Sequence, residues 1–521
     1  MSVELEKTII KTCYSLPAMG TQITLDNDII VPDSQPDVKT VLQAEILPMI
    51  CEKHVQKDYI IITGNVDYSI VYLSDEKDSP SRVRAISTRM PFSHQIEVAD
   101  VNMADFVSIK PDVINVEFSA VNSRKINVRS VVDFDTSAVR CDGFEAVCSA
   151  VCDSDLPSKS EIAEWFALSG CGEMNFEVAD TISIPSGSDL IDEILGADVK
   201  ICGREIKLIN GKPVVKGDVK ICVLYTDTAY RMQTAEGSIP FTEILGIDDV
   251  EDERLCEIEY CLTDFRYSIM ADNDGDATLI DVCAKINVSA CAYSTGRENI
   301  TADLYSPDFK VDIIRGNAEL TRLVSANSEQ DIFKDTVEVS PTCPAISKVH
   351  NVIVKPYVEN AEIMGGRMKI TGVADTYIVY TTSSPDTPVY TYKKEIPFTH
   401  SAMADGKEDC NINVICEAND IIYNAISANG VQVQFTLNFN VRITEEKNLT
   451  YISHVESDGT VSEDSAPTGI VIYFADAGEN MWDISKRYHT TTEAINKANG
   501  VDFPEVLDSP KRIMIPKRRI G

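Results

Sequence analysis

What the 521-residue sequence does without narrows its function first. No run approaches the ~18 uninterrupted apolar residues of a membrane-spanning helix, so direct membrane insertion is not expected. The opening Met1-Ser2-Val3-Glu4-Leu5-Glu6-Lys7 has neither the basic n-region nor the apolar stretch of a secretory signal, and a cytoplasmic protein is expected. Basic residues are scarce. Lys and Arg number 47 against 82 Asp and Glu, and the net charge of −35 argues against nucleic acid and against an anionic membrane surface. The 15 cysteines are an odd count with no C-x-x-C, scattered in β-like runs (Cys222, Cys256, Cys283, Cys291). They read as small core residues in a reducing compartment, not as a disulfide framework or a zinc site.

Enzyme signatures are also missing. There is no G-x-G-x-x-G, P-loop, G-x-S-x-G or H-E-x-x-H. The six histidines (His54, His94, His350, His400, His454, His489) lie far apart and read as surface or satisfied groups. The acidic run Asp248 to Glu253 reads as a solvated loop. Asp272-Asn273-Asp274-Gly275-Asp276 resembles half of a calcium loop, but no Glu closes it, and a hairpin tip is expected. No catalytic residue, cofactor or metal site is expected.

What is present is a repeat with a period of about 155 residues. Gly64 to Tyr72 aligns without gaps on Gly217 to Tyr225 and on Gly372 to Tyr380. Pro32, Pro185 and Pro341 precede these lines. Pro91-Phe92, Pro240-Phe241 and Pro397-Phe398 follow them, and Ile126-Asn127-Val128, Ile286-Asn287-Val288 and Phe439-Asn440-Val441 stand near each unit's end. Period-two stretches such as Val431 to Phe439 predict strands, and Asn210-Gly211, Asn429-Gly430 and Asp274-Gly275 predict hairpin turns. A short helix is predicted after each first proline, over 36–42, 189–195 and 344–349, and a packing helix over 161–168 with Trp165. The repeat tyrosines (Tyr72, Tyr225, Tyr380) are expected in the cores. The fold class is therefore mainly β: tandem β-sandwich-like repeats with a short helix each, followed by a C-terminal βααβ module. The expected divisions are repeat one over 1–140, a bridging segment and repeat two over 141–295, a bridging segment and repeat three over 296–454, a flexible acidic linker over 455–468, and the module with a basic tail over 469–521.

The module reads strand, turn, helix, helix, loop, strand. Asn480 is the predicted cap of a helix whose Met481, Ile484 and Tyr488 share one face. Thr490 and Glu493 form a T-x-x-E box for the second helix, with Ala494, Ile495 and Ala498 inward and Asn499-Gly500 as the stop. From Ile470 onward the balance is eight basic to seven acidic residues, so the module is +1 on a carrier of about −36. Trp482 has two readings: a cover for the small core, or a rim anchor beside Lys486 and Arg487. His489 is read as a solvated turn residue, and Lys517-Arg518-Arg519 as a solubilising end.

The glycine turn, the Trp-x-Ile-x-Lys-Arg-Tyr helix, the Asn-Gly exit and the closing Ile-Pro resemble a LysM domain. That resemblance implies glycan binding by the loops around Gly478, Glu479 and Asn480 and around Gly500, Val501 and Asp502. The family usually has Gly-Asp-Thr where this chain has Gly478-Glu479-Asn480. The repeat landmarks resemble the SPOCS domain (a domain of unknown function) of clostridial spore-coat proteins, and three such repeats with a C-terminal LysM resemble the SipL family of spore morphogenetic proteins. This resemblance implies a mother-cell protein at the forespore surface, a non-enzymatic adaptor or scaffold in the spore coat. Its module would engage the coat basement-layer morphogenetic ATPase (the Spo-four-A type), and possible further coat proteins, through Met481, Trp482, Lys486 and Arg487. The competing expectation is a wall or cortex protein that binds peptidoglycan.

Overall fold

Buried and exposed residues alternate along strand after strand, as over Tyr59–Ser74, and a period-two chain buries one face only by joining a sheet. The computed structural model describes residues 3–76, 82–248, 250–457 and 469–517. Each repeat consists of two antiparallel sheets face to face. One sheet is a meander: Val38–Gln56, Tyr59–Ser74 and Val83–Val98 in the first repeat, Ile191–Ile209, Lys212–Asp227 and Met232–Ile244 in the second, and Ile346–Met364, Arg367–Thr382 and Val389–Met403 in the third. The other is built on a long closing strand: Lys125–Val151, Leu279–Leu304 or Gly430–Glu456. In repeats two and three the closing strand pairs along its length with a single opening strand, Ser158–Ser183 or Asp312–Glu338. In repeat one the opening strand is broken into Glu4–Leu16 and Gln22–Ile30, with Gly20 between them at φ 68°.

The sequence landmarks are parts of one packing device. Gly64, Gly217 and Gly372 pair in register with Phe92, Phe241 and Phe398 of the next strand. A Cβ at these glycines would lie 2.0 Å from the Met49 carbonyl oxygen, 2.5 Å from the Phe241 ring and 2.1 Å from the Tyr357 carbonyl oxygen, respectively. The glycine therefore admits both the phenylalanine ring and a bulge on its other flank, at Ile50/Glu52, Cys202/Glu205 and Val358/Asn360. The three repeat tyrosines are fully buried, as expected. Tyr72 donates to the Pro36 carbonyl at 3.0 Å and Tyr380 to the Pro344 carbonyl at 2.9 Å, which pins the start of each meander.

The repeats close around a common axis. Val71, Leu224 and Val379, each seven residues after its repeat glycine, meet in one apolar cluster with Leu42, Leu195 and Val83. At the other end the paired tails of the opening and closing strands gather into a bundle, where Ile10, Ala163, Ile300, Leu320 and Leu449 are buried. Ion pairs join each repeat to both others: Arg89 to Asp264 at 2.7 Å, Arg442 to Glu257 at 2.5 Å and Lys39 to Asp386 at 2.7 Å.

Two expectations are corrected. The predicted short helices are the first residues of the meander strands, because Val38, Ile191 and Ile346 donate their N–H groups sideways to Ser123, Ala277 and Ala428. The stretch 161–168 is strand, paired without interruption with Tyr293 to Ile300 of the closing strand. The closing strands of repeats one and two run unbroken through positions 140 and 295. The hairpins are where expected: Asn210 and Gly211 both have positive φ, and Asp272 accepts from the N–H groups of Asp274 and Asp276 at the tip.

Candidate partner-binding module and its seat

The C-terminal module pairs Gly469–Ala475 with Lys511–Lys517 and packs two helices on one side: α1 (Met481–Arg487) and α2 (Thr492–Asn499). Asn480 caps α1 by accepting from the Trp482 N–H at 2.8 Å, and Gly500 ends α2 in the left-handed region. The cap of α2 is Thr491, which accepts from the Ala494 N–H at 3.1 Å. The T-x-x-E reading was one residue early, because Thr490 is buried and its carbonyl is used elsewhere. Met481, Ile484, Ile495, Leu507, Ile513 and Ile515 form a core separate from those of the repeats.

The four residues expected to bind a partner take different places. Met481 is 1% exposed and sits in the module core, where it can only position α1. Arg487 stays near the surface, donating to the Tyr473 hydroxyl at 3.0 Å. Trp482 and Lys486 both reach Asp303, at the end of the closing strand of repeat two. The indole Nε1 donates to Oδ2 at 2.8 Å and the Lys486 ammonium to both oxygens at 2.7 and 2.8 Å. Arg315, from repeat three, holds the same carboxylate at 2.6 Å.

Around this carboxylate the seat is apolar and directional. Tyr305 is buried, packs edge-on against Trp482 at 5.0 Å, and donates its hydroxyl to the Thr490 carbonyl at 2.7 Å. Lys159, opposite Asp303 in the ladder, pairs with Glu505 at 2.8 Å. Burial pushes the Asp303 carboxyl up, but the Lys486 and Trp482 donors and the Arg315 charge outweigh it and hold the group below the usual carboxylate range. Burial first, with the Glu493 and Asp303 charges helping and Ser485 opposing, drives the Tyr305 hydroxyl the other way, to about 12. No local motif marks Asp303, Tyr305, Arg315 or Lys159 in the sequence; only the fold brings them together.

The two expected glycan loops are only partly joined. Gly478, at φ 91°, donates to the Leu507 carbonyl at 2.7 Å, Leu507 returns a bond to Glu479 at 2.9 Å, and Met481 donates to Glu505. Glu479 is engaged by the Tyr473 hydroxyl at 2.6 Å and the Asp476 N–H at 2.9 Å, and the Tyr473 bond lowers its carboxyl below the ordinary range. Gly500, Val501 and Asp502 form the exit of α2, with Val501 exposed. On the far side of the sheet Ile470, Ile472 and Phe474 alternate outward, 65%, 56% and 74% exposed, so one face of the module is bare and apolar. His489 adopts φ 50° at the turn between the helices. Arg518 and Arg519 of the basic tail, and most of the expected linker, lie outside the described residues.

A second feature lies on the axis. A cavity of about 1200 Å³ is lined by all three repeats. Glu45 and Asp198, each paired with the residue five after the repeat glycine, face it. Glu45 accepts from the Gln43 amide and Asp198 from Asn351 at 3.3 Å. Burial and then the Asp198 charge push the Glu45 carboxyl up to about 7. Among the described residues no group of three His, Cys, Asp or Glu side chains could hold a metal ion. No helix among them is long and apolar enough to cross a membrane.

Comparison with known proteins bears on the repeats. The family model described as SipL, SPOCS domain matches residues 37–121, 190–270 and 345–426. Each match starts in the turn that leads into a meander and ends in or just after the strand that precedes the closing strand. No curated protein and no solved structure matches the chain.

Proposed function

We propose, from three SPOCS matches in order followed by a βααβ module, that the chain is a non-enzymatic adaptor in spore-coat morphogenesis. The three domains form the rigid body. The module, LysM-like in its turn, helix and exit signals, docks a protein, the coat basement-layer morphogenetic ATPase, at the forespore surface of the mother cell. The observation that carries this reading is the threefold match to SipL, SPOCS domain.

The module's geometry supports a protein ligand over a glycan. Glu479, in the first expected glycan loop, is already committed to Tyr473 and to the backbone of its own turn. The outward Ile470, Ile472 and Phe474 offer the kind of apolar patch that protein interfaces bury. Trp482, a residue type that anchors interfaces, and Lys486 are both held by Asp303, and a partner that uses them must displace that carboxylate.

The test is a pull-down with the full chain, offered the purified ATPase and, separately, purified peptidoglycan. Capture of the ATPase, lost in Trp482→Ala or Phe474→Asp, is expected. Capture of peptidoglycan alone would replace this reading with that of a wall-binding protein.

A further inference from the structure

Two pairs of cysteines stand directly opposite one another across antiparallel ladders: Cys13 with Cys141 in repeat one, and Cys171 with Cys291 in repeat two. Opposed positions in such a ladder hold their Cα atoms ~4.5–5.5 Å apart, inside the range that a disulfide spans. All four are free thiols. Their register relation is the same, and Cys13 packs against the apolar cluster that holds Cys291, but their access differs.

We propose that Cys13 and Cys141 are a redox-reactive pair that closes to a disulfide by exchange with a small-molecule disulfide, while Cys171 and Cys291 stay reduced. Access separates the pairs at one member: Cys141 and Cys171 are both exposed, but Cys13 is half-buried whereas Cys291 is buried. Electrostatics separates them again. The neighbouring Cys141 thiol pulls the Cys13 thiol down to about 7 against the opposing effect of burial, with the Leu168 backbone and the Arg442 guanidinium helping and Glu257 opposing, while the Cys141 S–H itself donates to the Leu168 carbonyl at 3.9 Å. Cys141 is pushed up, first by its Cys13 neighbour and then by burial. Burial pushes both Cys171 and Cys291 up, the first also through Glu173 and the second through Glu257. A thiolate, not a thiol, is the attacking species, and at neutral pH Cys13 supplies it.

The exchange has two steps. The Cys13 thiolate attacks one sulfur of the small disulfide, its S–S bond breaks, and one thiolate leaves as a mixed disulfide forms on Cys13. Cys141, no longer beside a thiolate, loses its proton to solvent and attacks the Cys13 sulfur, expelling the second thiolate. Two protein thiols are oxidised to one disulfide and one small disulfide is reduced to two thiols. The new bond ties Glu4–Leu16 to Lys125–Val151 beside Phe166 and Leu323, where the paired tails bundle.

The test incubates the full chain with oxidised glutathione near pH 7.5, blocks remaining thiols with N-ethylmaleimide, and follows cross-linked peptides by mass spectrometry. The Cys13–Cys141 peptide is expected to accumulate at least tenfold faster than the Cys171–Cys291 peptide. Cys141→Ser should trap glutathione on Cys13, and Cys13→Ser should slow glutathione capture at Cys141 to the rate of an ordinary exposed thiol, below that of the wild-type pair. Equal rates for the two wild-type pairs, or trapping on Cys141 in Cys13→Ser at the wild-type rate, would overturn the proposal.

Discussion

Trp482 donates its indole N–H to Asp303 across 2.8 Å, although 179 residues separate them in the chain. The same carboxylate takes Lys486 and Arg315, so one acid from repeat two holds the module to two repeats. Asp303→Ala would leave those donors without their acceptor. A hydrogen bond to a charged group contributes about 1.5–3 kcal/mol, less here because Lys486 is partly exposed. The expected outcome is a red shift and easier quenching of Trp482 fluorescence, measured in a Trp165→Phe background, with the repeats still folded.

The glycine of the repeat line is a steric requirement. Gly372→Ala would place a methyl 2.1 Å from the Tyr357 carbonyl oxygen and 2.6 Å from the Phe398 ring. Neither can move freely, since one is backbone in a ladder and the other a buried side chain. Overpacking of this kind costs about 1–3 kcal/mol, and a lower denaturation midpoint for repeat three is expected. Gly246→Ala, where a Cβ would meet nothing within 4 Å, is the control and should stay near the wild type.

Tyr380→Phe removes the hydroxyl that meets the Pro344 carbonyl at 2.9 Å but keeps the buried ring. The carbonyl then lies without that donor at the turn into the meander. A loss of about 1 kcal/mol in chemical denaturation is expected. Tyr72→Phe should lose a similar amount, because the Tyr72–Pro36 bond is its counterpart.

Glu45 makes stability depend on pH. Its carboxyl is raised from an ordinary 4.5 to about 7, by burial first and the Asp198 charge second, with Gln43 and Lys355 opposing. A raised carboxyl contributes stability that is fully present below pH ~4.5 and lost as pH climbs through about 7, because the folded state then holds a proton that the unfolded state has released. The upper bound is about 3 kcal/mol. In Glu45→Gln that loss is absent, so the melting-temperature gap between variant and wild type should widen from pH 4.5 to 7 and then level off.

The repeats were legible because their determinants are local and recur. The glycine, the Pro-Phe pair and the tyrosine are each fixed by contacts within one meander, and three copies expose the spacing. The βααβ order was legible for the same reason, from Asn480, Gly478 and Gly500. The short helices were misread because Val38, Ile191 and Ile346 find their hydrogen-bond partners in segments distant in sequence, which no window of ten residues contains. Asp303 was invisible on the same ground. Nothing beside it in the sequence distinguishes it from the other acids of a chain at −35, and its role comes from a module that docks from far along the chain.

The most direct test of the adaptor account is the affinity of the full chain for the coat morphogenetic ATPase, compared between wild type, Asp303→Ala and Trp482→Ala. If Trp482 passes from Asp303 to the partner, Asp303→Ala should bind about tenfold more tightly, equivalent to the ~1.4 kcal/mol no longer spent on undocking, and Trp482→Ala should lose binding. Equal affinities for all three proteins would contradict the account, and would mean that the tryptophan only secures the module to the repeats.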